Sequence, residues 1–113
     1  MILIIGGAYQ GKRAYATETL GCPEERIIGQ VECRIRAMLD AGLDPMAEVG
    51  RLAKAEWADA VLLLEDISSG IVPLDAADRA WREAVGRCGA FLARQSERVI
   101  RVFCGIGTVI KDA

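Results

Sequence analysis

The feature that most limits how this chain can fold lies at its start, where the apolar run Ile2 to Ile5 meets Gly6-Gly7 and continues as Ala8-Tyr9-Gln10-Gly11-Lys12. An unbroken apolar run closed by two glycines reads as a short, fully buried strand entering a tight loop. Gly6 and Gly11, with four residues between them and Lys12 after, have the Walker A spacing. Glycines at those positions let the backbone curl so that successive N–H groups point inward at phosphate oxygens. Lys12 adds a positive charge near the β- and γ-phosphates, and a helix starting there adds its N-terminal partial charge. Gly6, Gly7, Ala8, Tyr9, Gln10, Gly11, Lys12 and Arg13 are therefore the candidate nucleotide-binding residues.

The rest of the chain supplies a setting for such a loop. Lys12 to Leu20 reads as a helix closing at Gly21 and Pro23. Arg26 to Ile28 is a short candidate strand. Val31, Ile35, Met38 and Leu39 keep helical spacing up to Gly42. Asp44-Pro45 supplies an N-cap and a first-turn proline for a helix whose stripe runs Met46, Val49, Ala53, Trp57, with Trp57 as a core anchor. Ala60 to Leu64 is the second clear strand, Ser68-Ser69-Gly70 opens a loop, and a long helix follows from Ala76 with inner residues Trp81, Val85, Cys88 and Leu92. Val99 to Cys104 reads as the last strand, ending at Gly105-Ile106-Gly107. Strands alternating with helices imply right-handed crossovers and a parallel sheet.

Composition narrows the function classes. The 113 residues suit a single domain, 1–113, and 52% of them are hydrophobic against 5% aromatic, as expected for helices on a buried sheet. A net charge of -2, with arginines scattered, gives no footprint for nucleic acid or an anionic membrane. No apolar stretch approaches the roughly 20 residues of a bilayer span and no basic region precedes the first strand, so a cytoplasmic protein is expected. Cys22, Cys33, Cys88 and Cys104 form no Cys-x-x-Cys pair and read as reduced, mostly buried thiols. The chain has no histidine, which removes the commonest general base and the imidazole nucleophile together.

Other candidate groups surround the loop. Arg13 stands where a Walker A loop carries the Ser or Thr whose hydroxyl coordinates Mg²⁺. A guanidinium offers only donors and ligates no cation, so it is free to contact a phosphate instead. Glu65 and Asp66 follow the Val61–Leu64 strand at its C-terminal end, where ligands of open α/β sheets gather. Either is a candidate to hold Mg²⁺ through water or to act as a base; as a plain strand end, both are merely solvated. Arg79, Arg82 and Arg87 form either a phosphate-facing row or a solvated helix face.

Ser69-Gly70-Ile71-Val72-Pro73, then Arg79-Ala80-Trp81-Arg82-Glu83, Gly86-Arg87 and Gly105-Ile106-Gly107 with Lys111 follow one order and spacing. This C-terminal half, together with Gly6-Gly7-Ala8 and Gly11-Lys12, resembles the adenosylcobinamide kinase/adenosylcobinamide-phosphate guanylyltransferase family of cobalamin biosynthesis. The resemblance implies an α/β fold of the P-loop NTPase-like kind, a three-layer sandwich with a mostly parallel sheet. It also implies GTP or ATP as the nucleotide, a corrinoid substrate and a homo-oligomer; Mg²⁺ is a candidate cation from the acids alone. In such a protein Lys12 and Asp66 are the candidate catalytic residues, with Glu65 or Asp66 at the metal. Several departures stand out. The segment before the Val61 strand is too short for the family's central region, Asp66 and Ser68 replace the usual Glu and Gly, and no histidine exists to carry GMP. Guanylyl transfer by the family mechanism is not expected. Three readings follow: a shortened cobinamide kinase-like phosphotransferase, a non-catalytic nucleotide- or corrinoid-binding protein that regulates or assembles with a cobalamin enzyme, and a purely structural oligomerising domain whose loop holds only a fortuitous anion.

Overall fold

A computed structural model describes residues 1–67 and 75–113. The segment 68–74, which holds the expected Ser68-Ser69-Gly70 loop and the Ser69–Pro73 motif, lies outside the described residues.

Strands β1 (Ile2–Gly6), β2 (Ile27–Ile28), β3 (Val61–Glu65), β4 (Arg98–Phe103) and β5 (Ile106–Asp112) form one sheet in the order β2-β3-β1-β4-β5. The β1–β3, β1–β4 and β2–β3 pairs are parallel, whereas β4–β5 is antiparallel. This is the expected α/β architecture with a mostly parallel sheet. Helices α1 (Lys12–Ala14), α2 (Val31–Asp40), α3 (Pro45–Lys54) and α4 (Ala76–Gln95) complete it.

The period-2 alternation of the strands divides the core in two. Leu3, Leu62, Leu64 and Val99 point to the face packed by α2, α3 and α4, with Val31, Ile35, Val49, Val85, Cys88 and Leu92 opposite them. Ile4, Val61, Leu63, Ile100 and Val102 point the other way, beneath Tyr15, Ala16 and Leu20. Both faces of β1 and β3 are thus buried, which is why their sequences read as continuous apolar runs. Burying each such Leu or Ile contributes about 1.5–3 kcal/mol.

Local signals account for three of the helix ends. Asp44 caps α3 by accepting from the Met46 amide at 3.2 Å, and Pro45 fills the first turn. Asp75 caps α4 through the amides of Ala77 and Asp78 at 2.7 and 3.2 Å. After α2, Gly42 adopts φ 74° and the Leu43 amide donates back to the Met38 carbonyl at 2.9 Å, closing the helix as a Schellman turn does.

Four expectations need correction. The helix read at Lys12–Leu20 is α-helical only over Lys12–Ala14, after which Tyr15–Thr19 forms a wider π-helical turn. Trp57 is buried as expected, but α3 ends at Lys54 and Trp57 is carried by the turn after it. The cysteines are all free, yet Cys88 alone is fully buried and Cys33 and Cys104 are exposed. The chain does not end its sheet at Cys104: it turns at Cys104-Gly105, both with positive φ, and returns as β5 along the edge of β4. Among the described residues no helix is long and apolar enough to cross a membrane.

Candidate functional site

The connections that leave β1 and β3 run to opposite faces of the sheet, α1 to one and α4 to the other. Neighbouring parallel strands whose chains part this way open a crevice at their carboxyl ends, the place where α/β sheets bind ligands. Register sharpens the position. Gly6 pairs with Glu65, so the loop after β1 and the acid ending β3 emerge side by side.

The loop is shaped by two residues with left-handed backbone, Tyr9 at φ 58° and Gly11 at φ 92°. These curl the chain so that the amides of Gly7, Ala8, Tyr9, Gln10 and Gly11 donate to no acceptor among the described residues. Gly7, Ala8 and Tyr9 are exposed and Gln10 and Gly11 half-exposed, so these N–H groups are open to solvent and to an anion set among them. Lys12 folds back over this ring, its Nζ donating to the carbonyls of Gly7 at 2.7 Å and Gly6 at 3.3 Å. Gly6 itself is required by packing, because a Cβ there would lie 2.5 Å from the Val102 carbonyl oxygen. The α-helical segment after the loop is too short to supply much dipole, so the amides and Lys12 provide the anion-binding character.

A cleft of about 440 Å³ opens beside the loop, lined on one side by Ala8 to Ala14 and on the other by Gly29, Gln30, Glu32, Cys33, Leu63 and Glu65. Its size is in the range of small-molecule sites. One wall is basic and the other acidic. Arg13 lines it too, with Nη1 paired to Glu24 at 2.7 Å.

Glu65 and Asp66 separate by strand parity. Glu65 stands on the loop's face of the sheet and lines this cleft. Asp66 lines a second, more apolar cleft of about 240 Å³ on the opposite face, with Ile5, Leu64 and residues of α4. The structure therefore brings Gly6–Arg13 together with Glu65, and not with Asp66. Arg87 pairs with Glu83 at 2.7 Å on an exposed face of α4, the solvated alternative for that residue.

Glu32 is the site residue that sequence reasoning missed. Only 5% exposed, it accepts from the Glu65 amide through Oε1 at 2.9 Å, and its own carbonyl accepts from Trp81 Nε1 at 2.7 Å. Its carboxylate ties the start of α2 to the end of β3. Cys33 beside it has its thiol pushed up, first by burial and then by the Glu32 charge and hydrogen bond and by the Glu65 charge. The only sequence signal was an acid in the first turn of a helix, which by itself suggests a helix-end charge and nothing more.

These features define an α/β protein of the P-loop NTPase-like class, with a glycine loop and lysine at the carboxyl end of its central strand. The family model described as cobinamide kinase / cobinamide phosphate guanyltransferase matches residues 35–110, and the chain belongs to that family. The family's work is cobalamin biosynthesis, with nucleotide-handling, kinase-type chemistry. The matched region starts beyond the glycine loop, so the loop's role rests on its own geometry. Comparison with curated proteins found no match.

Proposed function

We propose that this protein binds a purine nucleoside triphosphate, GTP or ATP, with its phosphates in the Gly6–Arg13 loop, and serves cobalamin biosynthesis as a shortened cobinamide kinase relative. The observation that carries this is the ring of uncommitted amides from Gly7 to Gly11 closed by Lys12 Nζ, set at the mouth of the sheet beside Glu65. In this reading Lys12 follows the transferring phosphate, and Glu65, on the loop's side of the sheet, orients the acceptor. A corrinoid is the acceptor if phosphate is transferred. GMP transfer through histidine has no residue in this chain to carry it.

A second reading, nucleotide binding without catalysis in the service of a cobalamin enzyme, is favoured by one specific feature, Arg13 in place of the metal-coordinating hydroxyl. Titration calorimetry with GTP and ATP tests both. Micromolar binding that Lys12→Ala abolishes supports the site, and absence of binding refutes it. Incubation with adenosylcobinamide and nucleotide then separates the two readings. A phosphate ester supports the kinase, and bound nucleotide without ester leaves the binder.

A further inference from the structure

Mg²⁺ accompanies the nucleotide in most phosphate loops, held by the hydroxyl after the lysine and by a strand-end acid. Among the described residues, the groups around this cleft do not supply that pair. Arg13 replaces the hydroxyl and has no lone pair to offer. Glu32 commits Oε1 to the Glu65 amide at 2.9 Å, and Oε2 lies 3.6 Å from the Cys33 sulfur. Asp66 opens onto the other face. Glu65 is left as a single carboxylate beside the loop.

We propose that the Gly6–Lys12 loop takes its polyphosphate without a divalent cation, and that Arg13 supplies the positive charge the cation would have brought. The proposal rests on the nucleotide-binding reading above. Arg13 lines the same cleft as Lys12, so both positive charges border one space. Its fork suits phosphate oxygens, to which it donates two parallel hydrogen bonds, and it remains charged at every relevant pH. Its Nη2 lies close over Gly29, 2.5 Å from where a Cβ would stand, so the guanidinium already reaches across to the cleft's opposite wall. Without ligand the fork is held by Glu24, and both side chains of that pair are more than half exposed, at 52% and 64%. An exposed pair of this kind is weak and is readily exchanged for a phosphate of higher charge. Mg²⁺ in solution then competes with the protein, because it covers the oxygens that Arg13 needs.

Titration of the full chain with GTP and with ATP, in EDTA and in excess Mg²⁺, tests this. The expected result is binding in EDTA at least as tight as in Mg²⁺. Arg13→Ser should weaken binding in EDTA by about tenfold, the loss of a charge-assisted pair, and make binding improve when Mg²⁺ is added. Arg13→Lys, which keeps the charge and loses the fork, should fall between. Glu24→Gln, which releases Arg13, should tighten binding in EDTA. Circular dichroism confirms that each variant is folded. Nucleotide bound by the wild type only with Mg²⁺, or bound equally by Arg13→Ser in EDTA, overturns the proposal and leaves the nucleotide site standing. No binding under either condition overturns the site and the proposal together.

Discussion

Gln10 joins the glycine loop to the turn that follows β4. Its Oε1 accepts from the Cys104 amide at 2.7 Å while its main-chain carbonyl accepts from the Gly105 amide at 2.8 Å. The loop and the β4–β5 turn are thereby one unit, although 94 residues separate Gln10 from Cys104 in the chain.

Gln10→Ala removes the side-chain half of this link and leaves the Cys104 amide without its acceptor. A cost of about 1 kcal/mol in urea unfolding is expected. Amide exchange at Cys104 should quicken, and nucleotide should bind more weakly because the loop is less ordered before it binds. Gln10→Glu keeps an acceptor and should retain most of the stability. Equal exchange at Cys104 in wild type and Gln10→Ala would rule out the link.

Tyr15, on the π-helical turn, packs against Gly107 of β5 so closely that a Cβ on Gly107 would clash with its Cε2, Cζ and hydroxyl. Gly107→Ala should therefore cost about 1–3 kcal/mol by overpacking. Tyr15→Ala should relieve most of that penalty, and a double-mutant cycle in urea would read the coupling. Strictly additive effects would mean that the two residues do not meet.

Glu32→Ala leaves the Glu65 amide without an acceptor and should cost about 1–3 kcal/mol. Glu32→Gln keeps a carbonyl oxygen there and should cost less. The charge of Glu32 helps hold the Cys33 thiol protonated, with burial the larger cause. A raised thiol has less thiolate at pH 8, so Glu32→Gln should speed alkylation of Cys33 by iodoacetamide, followed by mass spectrometry of the Cys33 peptide. An unchanged rate would show that the carboxylate does not govern the thiol.

Cys88 gives the fold a dependence on high pH. Burial on α4, with a smaller contribution from Asp44, pushes its thiol up from 9.0 to about 11. The folded pKa exceeds the unfolded one, so the contribution is complete below pH 9.0 and is lost as pH rises through about 11. Its full size is about 2–3 kcal/mol. Urea unfolding across this window should show wild type losing stability more steeply than Cys88→Ala. Parallel slopes would clear the thiol of the effect.

How far each feature was legible depended on the range of the interactions behind it. The buried strands β1 and β3, the stripe of α2, the Asp44-Pro45 start of α3 and the long α4 follow from apolar runs, helical spacing and caps, all set within a few residues. The glycine spacing of Gly6 and Gly11 marked the loop for the same reason. Strand β5 left no such trace. Ile106, Val109 and Ile110 are all exposed and no alternation is present, so its extended form depends on the free edge of β4, which exists only after the sheet has formed.

The amino-acid sequence by itself determined a strand, a curled glycine loop and a lysine at its end, because Cβ-free residues and a buried apolar run permit little else there. Which residues share a space with that loop was decided by the tertiary structure. Glu65 and Asp66 are adjacent in the chain and equal in chemistry, but β3 buries one residue up and the next down, and pairing with Gly6 brings Glu65 alone to the loop's side. Glu32 and Gln10 acquired their roles in the same way, through hydrogen bonds to Glu65 and Cys104 that span 33 and 94 residues. Contacts that far apart in sequence leave no local pattern, and only the register of the sheet creates them.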